Sequence, residues 1–229
     1  MAEIIRINDG TWRIEDGNVR FFLLCGTSGA MLIDSGMNTP DARVIAESLT
    51  SLPLSLLNTH ADPDHISGNR AFSSFYMSPA EEDLYRVQGG TGEILPVREG
   101  DVIDLGDRPL RIIDNPGHTR GSIAVLDEKN RVLIGGDAIQ DGTIYMFRAH
   151  RNMQNYIKSL QHLLTYWDQF DVVYPSHGTF PVYPDLILKL IEGAQEILDG
   201  KAQGEDVEVH GMPARLYRFP YAGFYCERK

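Results

Sequence analysis

The sequence predicts an α+β domain in which two β-sheets pack face to face and helices cover their outer sides. Three observations predict it. The apolar runs are strand-sized, most end at turns of Asp, Asn or Gly, and the chain falls into two halves with strands first and helices after. No linker, internal repeat or low-complexity segment divides the 229 residues, so one domain spanning 1–229 is expected. That length is enough to bury a substantial core.

The first strands are read from "EIIRIN", "TWRIED", "VRFFLLC" and "AMLIDSG", β-rich runs separated by Asp, Gly and Asn turns. Pro40 to Leu52 follows as a helix with Val44, Ile45, Leu49 and Leu52 on one face. "LSLLNTH" is a short apolar run of buried-strand type that delivers His60 at its C-terminal end, where ligands sit in α/β folds. Next come a short helix, the strand "SSFYMSP" and a helix from Pro79 to Val87. "QGGTGEILP", residues 88–96, has the composition of a mobile glycine-rich flap. "RPLRIIDN", "GSIAVLDE" and "RVLIGGDA" are three more strands, the last two joined by "EKN". From Asn152 to Phe170 the residues Met153, Ile157, Leu160, Leu164 and Trp167 recur with helical period, which predicts an amphipathic helix. "DVVYPSHG" is again a strand ending in a polar loop, and a last helix runs from Pro184 to Leu198. The tail "ARLYRFPYAGFYCERK" alternates like one or two strands, with Tyr217, Tyr221 and Tyr225 as packing or edge residues.

Composition narrows the function classes. A 42% hydrophobic and 23% charged chain is ordinary for a soluble globular protein, and no run approaches a membrane span. The N-terminus lacks a basic and then apolar stretch, so no secretory signal is expected. Cys25 and Cys226, without CxxC spacing, make a disulfide framework unexpected and a reducing cytoplasm the expected compartment. The net charge of −11 argues against nucleic-acid or anionic-membrane binding and leaves a small molecule as the expected partner. Nothing in the sequence sets an oligomeric state.

Chemistry concentrates in "NTHADPDHISGN", residues 58–69, where two histidines and two like-charged aspartates crowd between His60 and His65. A divalent cation turns that repulsion into attraction. Three other strand ends carry one ligand-type residue each in a glycine-containing turn: His118 in "NPGHTRGS", Asp137 in "LIGGDAI" and His177 in "YPSHGTF". Glycine there lets the backbone approach a site closely. One such loop is weak evidence; four together point to a metal site. His150 and His162 read as surface or capping residues, and His210 as solvated.

The ordered set HxDxDH, PGHT, GGD and PSHG, preceded by "MLIDSG", resembles the metallo-β-lactamase superfamily, in its glyoxalase II-like branch, over about residues 12–185. The resemblance implies a four-layer αβ/βα sandwich with two divalent metals in a cleft along one edge. It places His60, Asp62 and His118 on the first metal and Asp64, His65 and His177 on the second, with Asp137 bridging. Asp34 would support the ligand loop through hydrogen bonds. The implied activity is a hydrolase cleaving an ester, thioester or lactone with a metal-bridging hydroxide, Asp64 and Asp137 serving catalysis as well as binding. The segment 140–152 would line the substrate cleft, with Tyr145, Met146, Phe147 and Arg148 as an apolar wall bearing one cation; a loop packing on its own helix is the equal alternative. The strand-like tail leaves no helical region for glutathione, so glutathione thioesters are disfavoured.

The family has histidine where this chain has Asp62. Carboxylate still suits zinc, the first expectation for the metal, and suits iron or manganese better. It also removes one positive unit, which implies weaker polarisation of a substrate carbonyl; Asp62→His is expected to keep metal binding and shift it towards zinc. An Asp62 turned to solvent by Pro63 is the other reading of the same stretch. Two other functions fit the pattern. One is a diiron redox protein related to the flavodiiron module, which has a carboxylate at the same position but also a flavodoxin domain for which no residues remain. The other is a non-catalytic metal-binding sensor.

Overall fold

The computed structural model describes residues 2–228. The first seven strands, β1 (Glu3–Asn8), β2 (Thr11–Asp16), β3 (Val19–Cys25), β4 (Ala30–Ile33), β5 (Leu54–Leu57), β6 (Ser74–Met77) and β7 (Glu93–Pro96), form one sheet in sequence order. Four more follow: β8 (Val102–Asp104), β9 (Pro109–Asp114), β10 (Ile123–Asp127) and β11 (Val132–Gly136). The rest are β12 (Thr143–Met146), β13 (Val172–Pro175), β14 (Gly204–Val209), β15 (Met212–Phe219) and β16 (Ala222–Cys226). A second sheet has the order β13-β11-β10-β9-β8, and a third β12-β16-β15-β14.

The first two sheets face each other. Along β3, Phe22 and Leu24 point into the shared core with Leu110, Ile112, Ile123, Val125 and Ile134 of the second sheet. Phe21 and Leu23, one residue out of phase, point the opposite way onto α1 (Ala42–Leu49) and α2 (Glu82–Val87). On the far side Ala124, Leu126 and Leu133 pack against α3 (Met153–Leu163) and α4 (Asp185–Leu198). Strands covered on both faces read as continuous apolar runs, which is why "VRFFLLC" does not alternate in hydrophobicity. The layering is the expected four-layer αβ/βα sandwich. The third sheet adds to it: Ile144 and Phe224 join the core beneath α3 and α4, and Phe147, Val209 and Ala214 form a small separate cluster.

Several local expectations change. Residues 93–96 are a strand rather than part of a flap, paired parallel to β6, and the Tyr85 hydroxyl anchors the preceding loop by donating to the Thr91 carbonyl at 2.8 Å. In α1 the buried face belongs to Ala42 and Ala46, and Val44 is 65% exposed. The predicted long helix narrows after Leu163 into a 3-10 segment, Leu164–Gln169, where no residue is buried. The strand β14 was not expected, because four of the six residues in "GEDVEV" are charged or Gly on an edge strand.

The fold gathers the chemistry at one edge. β4 and β5 run parallel, as do β11 and β13, so Asp34, His60, Asp137 and His177 all emerge just past the carboxyl ends of paired strands. His118 leaves β9 through a turn where Gly117 has φ 146° and a Cβ would come within 2.3 Å of the Tyr156 Cα. Only glycine lets that turn lie against α3.

Candidate metal centre

The structure brings all seven predicted side chains together as two clusters: His60, Asp62 and His118 in one, Asp64, His65, Asp137 and His177 in the other. Within each, one potential ligand atom per residue lies within 4.8 Å of the others. Asp137 divides its carboxylate between them. Its Oδ1 is 3.1 Å from His65 Nε2 and 3.2 Å from His177 Nε2, and its Oδ2 is 3.5 Å from His118 Nε2 and 4.0 Å from His60 Nε2.

Every imidazole presents Nε2 because something else holds Nδ1. His118 Nδ1 lies 3.0 Å from the Tyr145 carbonyl, and His177 Nδ1 lies 2.6 Å from the Asn18 carbonyl. A carbonyl only accepts, so both Nδ1 atoms carry a proton and Nε2 is the nitrogen turned to the site. His65 Nδ1 meets Asp34 Oδ2 at 2.9 Å. His60 Nδ1 meets Thr59 Oγ1 at 3.0 Å, and that hydroxyl donates to Asp34 Oδ2 at 2.7 Å. Asp34 thus orients His65 directly and His60 through Thr59, and it also accepts from the Thr59 backbone N–H at 2.7 Å. It does so from a left-handed backbone, φ 64°.

Three of the atoms turned inward, His60 Nε2, His65 Nε2 and Asp137 Oδ1, are buried without a hydrogen-bond partner. The His60 and His65 rings stand 4.0 Å apart. Buried polar atoms left so in a folded protein need an occupant, and a mixed imidazole and carboxylate set suits a divalent transition-metal ion. The seven residues therefore fit two such ions.

Burial disfavours charge on all these groups, yet their mutual attraction prevails for most. Burial pushes the Asp137 carboxyl up, but His177 and His65 hold it well below the usual carboxylate range. Asp62 is likewise held low, against burial, by its hydrogen bond with His118 and by the nearby His60. Burial pulls His65 and His177 down, but Asp137 and Asp64 outweigh it: His65 is raised well above its ordinary value and His177 to about 10. His118, dominated by burial, is lowered. Without metal, His177 is therefore an imidazolium ion at neutral pH, and the same carboxylates favour a proton on His65. Metal and proton compete for the same nitrogen, so loading the protein near pH 7 is expected to release at least about one proton per chain. Apparent affinity rises with pH until His177 has lost its own proton near pH 10. Calorimetric metal titrations in buffers of different ionisation heat check this; heats that do not vary with buffer would contradict it.

Sequence reasoning missed three contributors. Arg151 donates from Nη2 to Asp62 Oδ1 at 2.9 Å and Oδ2 at 2.6 Å. Glu81, 1% exposed, accepts from the backbone N–H of Ala61 at 2.8 Å and of Gly121 at 2.6 Å. Arg20 donates to the Pro175 and Gly178 carbonyls and so fixes the turn that carries His177. Two residues expected at the cleft, Tyr145 and Phe147, belong to an aromatic cluster. Tyr145 packs against Phe147, Tyr225 and His210 with centroid separations of 5.8, 5.0 and 6.1 Å, and its hydroxyl lies 3.3 Å from His210 Nε2. His210 is exposed, as read from sequence, and stacks on Tyr145 at the edge of this cluster. Met146 turns away into the core beneath α3 and α4, whereas Arg148 lies over Phe147 at 5.7 Å. A cavity of about 610 Å³ lies elsewhere, between α4 and the third sheet, and none of the seven residues lines it.

The metallo-beta-lactamase superfamily model matches residues 14–177. The acyl-coenzyme A thioesterase MBLAC2 of Gallus gallus is 29% identical over 204 residues, covering 71% of this chain and 74% of that protein. A hydroxyacylglutathione hydrolase of Gloeobacter violaceus is 36% identical over 91 residues, 37% of this chain and 35% of that one. In fold, the metallo-beta-lactamase from Pontibacter korlensis superposes with a TM-score of 0.72 at 18% identity, covering 85% of this chain and 99% of its own. Strand-end loops, layering and family match agree: the chain belongs to the metallo-beta-lactamase superfamily.

Proposed function

We propose that this hydrolase cleaves an acyl thioester with two divalent cations, zinc first and iron or manganese as alternatives. His60, Asp62 and His118 hold one, Asp64, His65 and His177 the other, and Asp137 lies between. The observation that carries this reading is the division of the Asp137 oxygens between the two clusters. Bound there, the cations would supply an acidified water and electrophilic pull on the acyl oxygen.

The chain's own residues do the rest. Asp64, 26% exposed, is the most open carboxylate of the set and orients the attacking water from the mouth of the site. The aromatic wall of Tyr145, Phe147 and Tyr225 takes the acyl portion and excludes bulk water. Water adds to the acyl carbon, the C–S bond breaks, and the thiol leaves with the proton. A thioester is favoured over an ester or lactone because acyl-coenzyme A and hydroxyacylglutathione, in the names of the relatives, are both thioesters. Residues 204–226 form strands rather than helices, which supports an acyl thioester other than that of glutathione.

A panel of acyl thioesters, esters and lactones, run with the zinc-, manganese- and iron-loaded protein, tests this. Thioester cleavage at least about tenfold above the others is expected, a difference of about 1.4 kcal/mol in barrier. Oxygen consumption by a diiron form without hydrolysis would replace the reading with the redox one. No turnover with any metal would favour the sensor.

A further inference from the structure

Asp62 brings a third carboxylate into a pocket already holding Asp64 and Asp137, and its side chain is only 14% exposed. Its neighbour Arg151 is 10% exposed and spends one nitrogen on both Asp62 oxygens. Arg151 Nε and Nη1, both buried, have no hydrogen-bond partner. Another buried arginine paired with a carboxylate, Arg108, is unlike it: Nε and Nη2 meet Asp127, Nη2 also Thr11, and Nη1 the carbonyls of Gly10 and Cys25. Arg108 is satisfied as a structural pair should be. A buried guanidinium with two idle nitrogens is a poor stabilising device. The backbone is also strained to place it, since Arg148 and His150 have φ 82° and 74°, left-handed values unusual for such residues. The Asn152 backbone N–H then donates to the Gly117 carbonyl at 2.8 Å, which fastens the segment to the turn that carries His118.

We infer that Arg151 is a positioning residue that turns Asp62 towards the first cation and cancels its charge, so that the pair acts as one neutral ligand. Asp62 Oδ2 already faces that position, 3.1 Å from His118 Nε2 and 3.5 Å from His60 Nε2, while the guanidinium spans both oxygens from the other side. The inference rests on the two-cation reading above. It changes the expected outcome of Asp62→His: a neutral imidazole there would leave Arg151 unpaired beside a cation, and like charges in a buried site repel.

The test is a zinc titration of the full chain with a competing chelator, together with metal content by mass spectrometry. Wild type is expected to hold two zinc ions. Arg151→Met and Asp62→His should each weaken one of them about tenfold to a hundredfold, the usual effect of losing a group that orients a ligand. The double variant should return to within about threefold of wild type, because the two losses are strongly coupled. Wild-type affinity in Arg151→Met, or a double variant no tighter than Asp62→His, would overturn the inference and leave the two-cation reading standing. Wild type holding fewer than two zinc ions would overturn that reading and this inference with it. Should Arg151→Met not fold, comparing the double variant with Asp62→His decides the matter.

Discussion

Replacing Asp137 with asparagine is expected to abolish hydrolysis while the fold survives. The carboxylate side chain makes no hydrogen bond to the backbone; its neighbours are His65 and His177 on one side, His60 and His118 on the other. Asparagine keeps the shape but offers a single acceptor oxygen, so one cluster would face an N–H₂ group in place of an oxygen. It also removes the negative charge between two cations, and their repulsion then falls on the weaker site. Zinc content should fall from two ions per chain to one or fewer. The rate, kcat/KM, should fall by at least about 10³-fold, since acidifying the attacking water is the main contribution of the metals. Circular dichroism should match wild type, because no backbone group loses a partner. Activity within tenfold of wild type would remove the shared carboxylate and the two-cation mechanism together.

The strand ends were legible in sequence for a simple reason. Each of the loops bearing His60, His118, Asp137 and His177 follows an apolar run bounded by a polar turn, a pattern set by neighbours in sequence. The sandwich was legible for the same reason, since "VRFFLLC" and "GSIAVLDE" are apolar on both faces. What was not legible depends on contacts between distant residues. Arg151 meets Asp62 across 89 positions and Glu81 meets Gly121 across 40, and neither segment marks its partner. The four supports of the imidazole Nδ1 atoms include two backbone carbonyls, which no residue type announces. The third sheet was missed in part because β14 is charged and lies at an edge, where strands are kept polar to prevent further pairing. Residues 88–96 misled through composition: their glycines suggested mobility, but Gly90 lies against the ring of Tyr85 and the remainder pairs with β6.

The second large effect is expected at Glu81. Its two oxygens accept from the N–H of Ala61, between His60 and Asp62, and from the N–H of Gly121, three residues beyond His118. One carboxylate thereby ties together the two loops that carry the first cluster. Glu81→Ala strands two buried N–H groups, each costing about 1–3 kcal/mol, so a loss of about 2–6 kcal/mol in unfolding free energy is expected. Glu81→Gln should cost less, because one oxygen remains, while its N–H₂ group is set against an N–H donor. Urea unfolding of the metal-free protein measures this without contribution from bound ions. A change below 1 kcal/mol in Glu81→Ala would show that the loops do not depend on the carboxylate. Zinc should also bind about tenfold to a hundredfold more weakly at the first cluster, as it should in Arg151→Met. The two causes separate under a second substitution. Arg151 acts through the charge on Asp62, so Asp62→His should compensate for its loss. Glu81 acts through loop geometry, which a change of ligand at Asp62 does not restore, so Asp62→His added to Glu81→Ala should weaken zinc binding further.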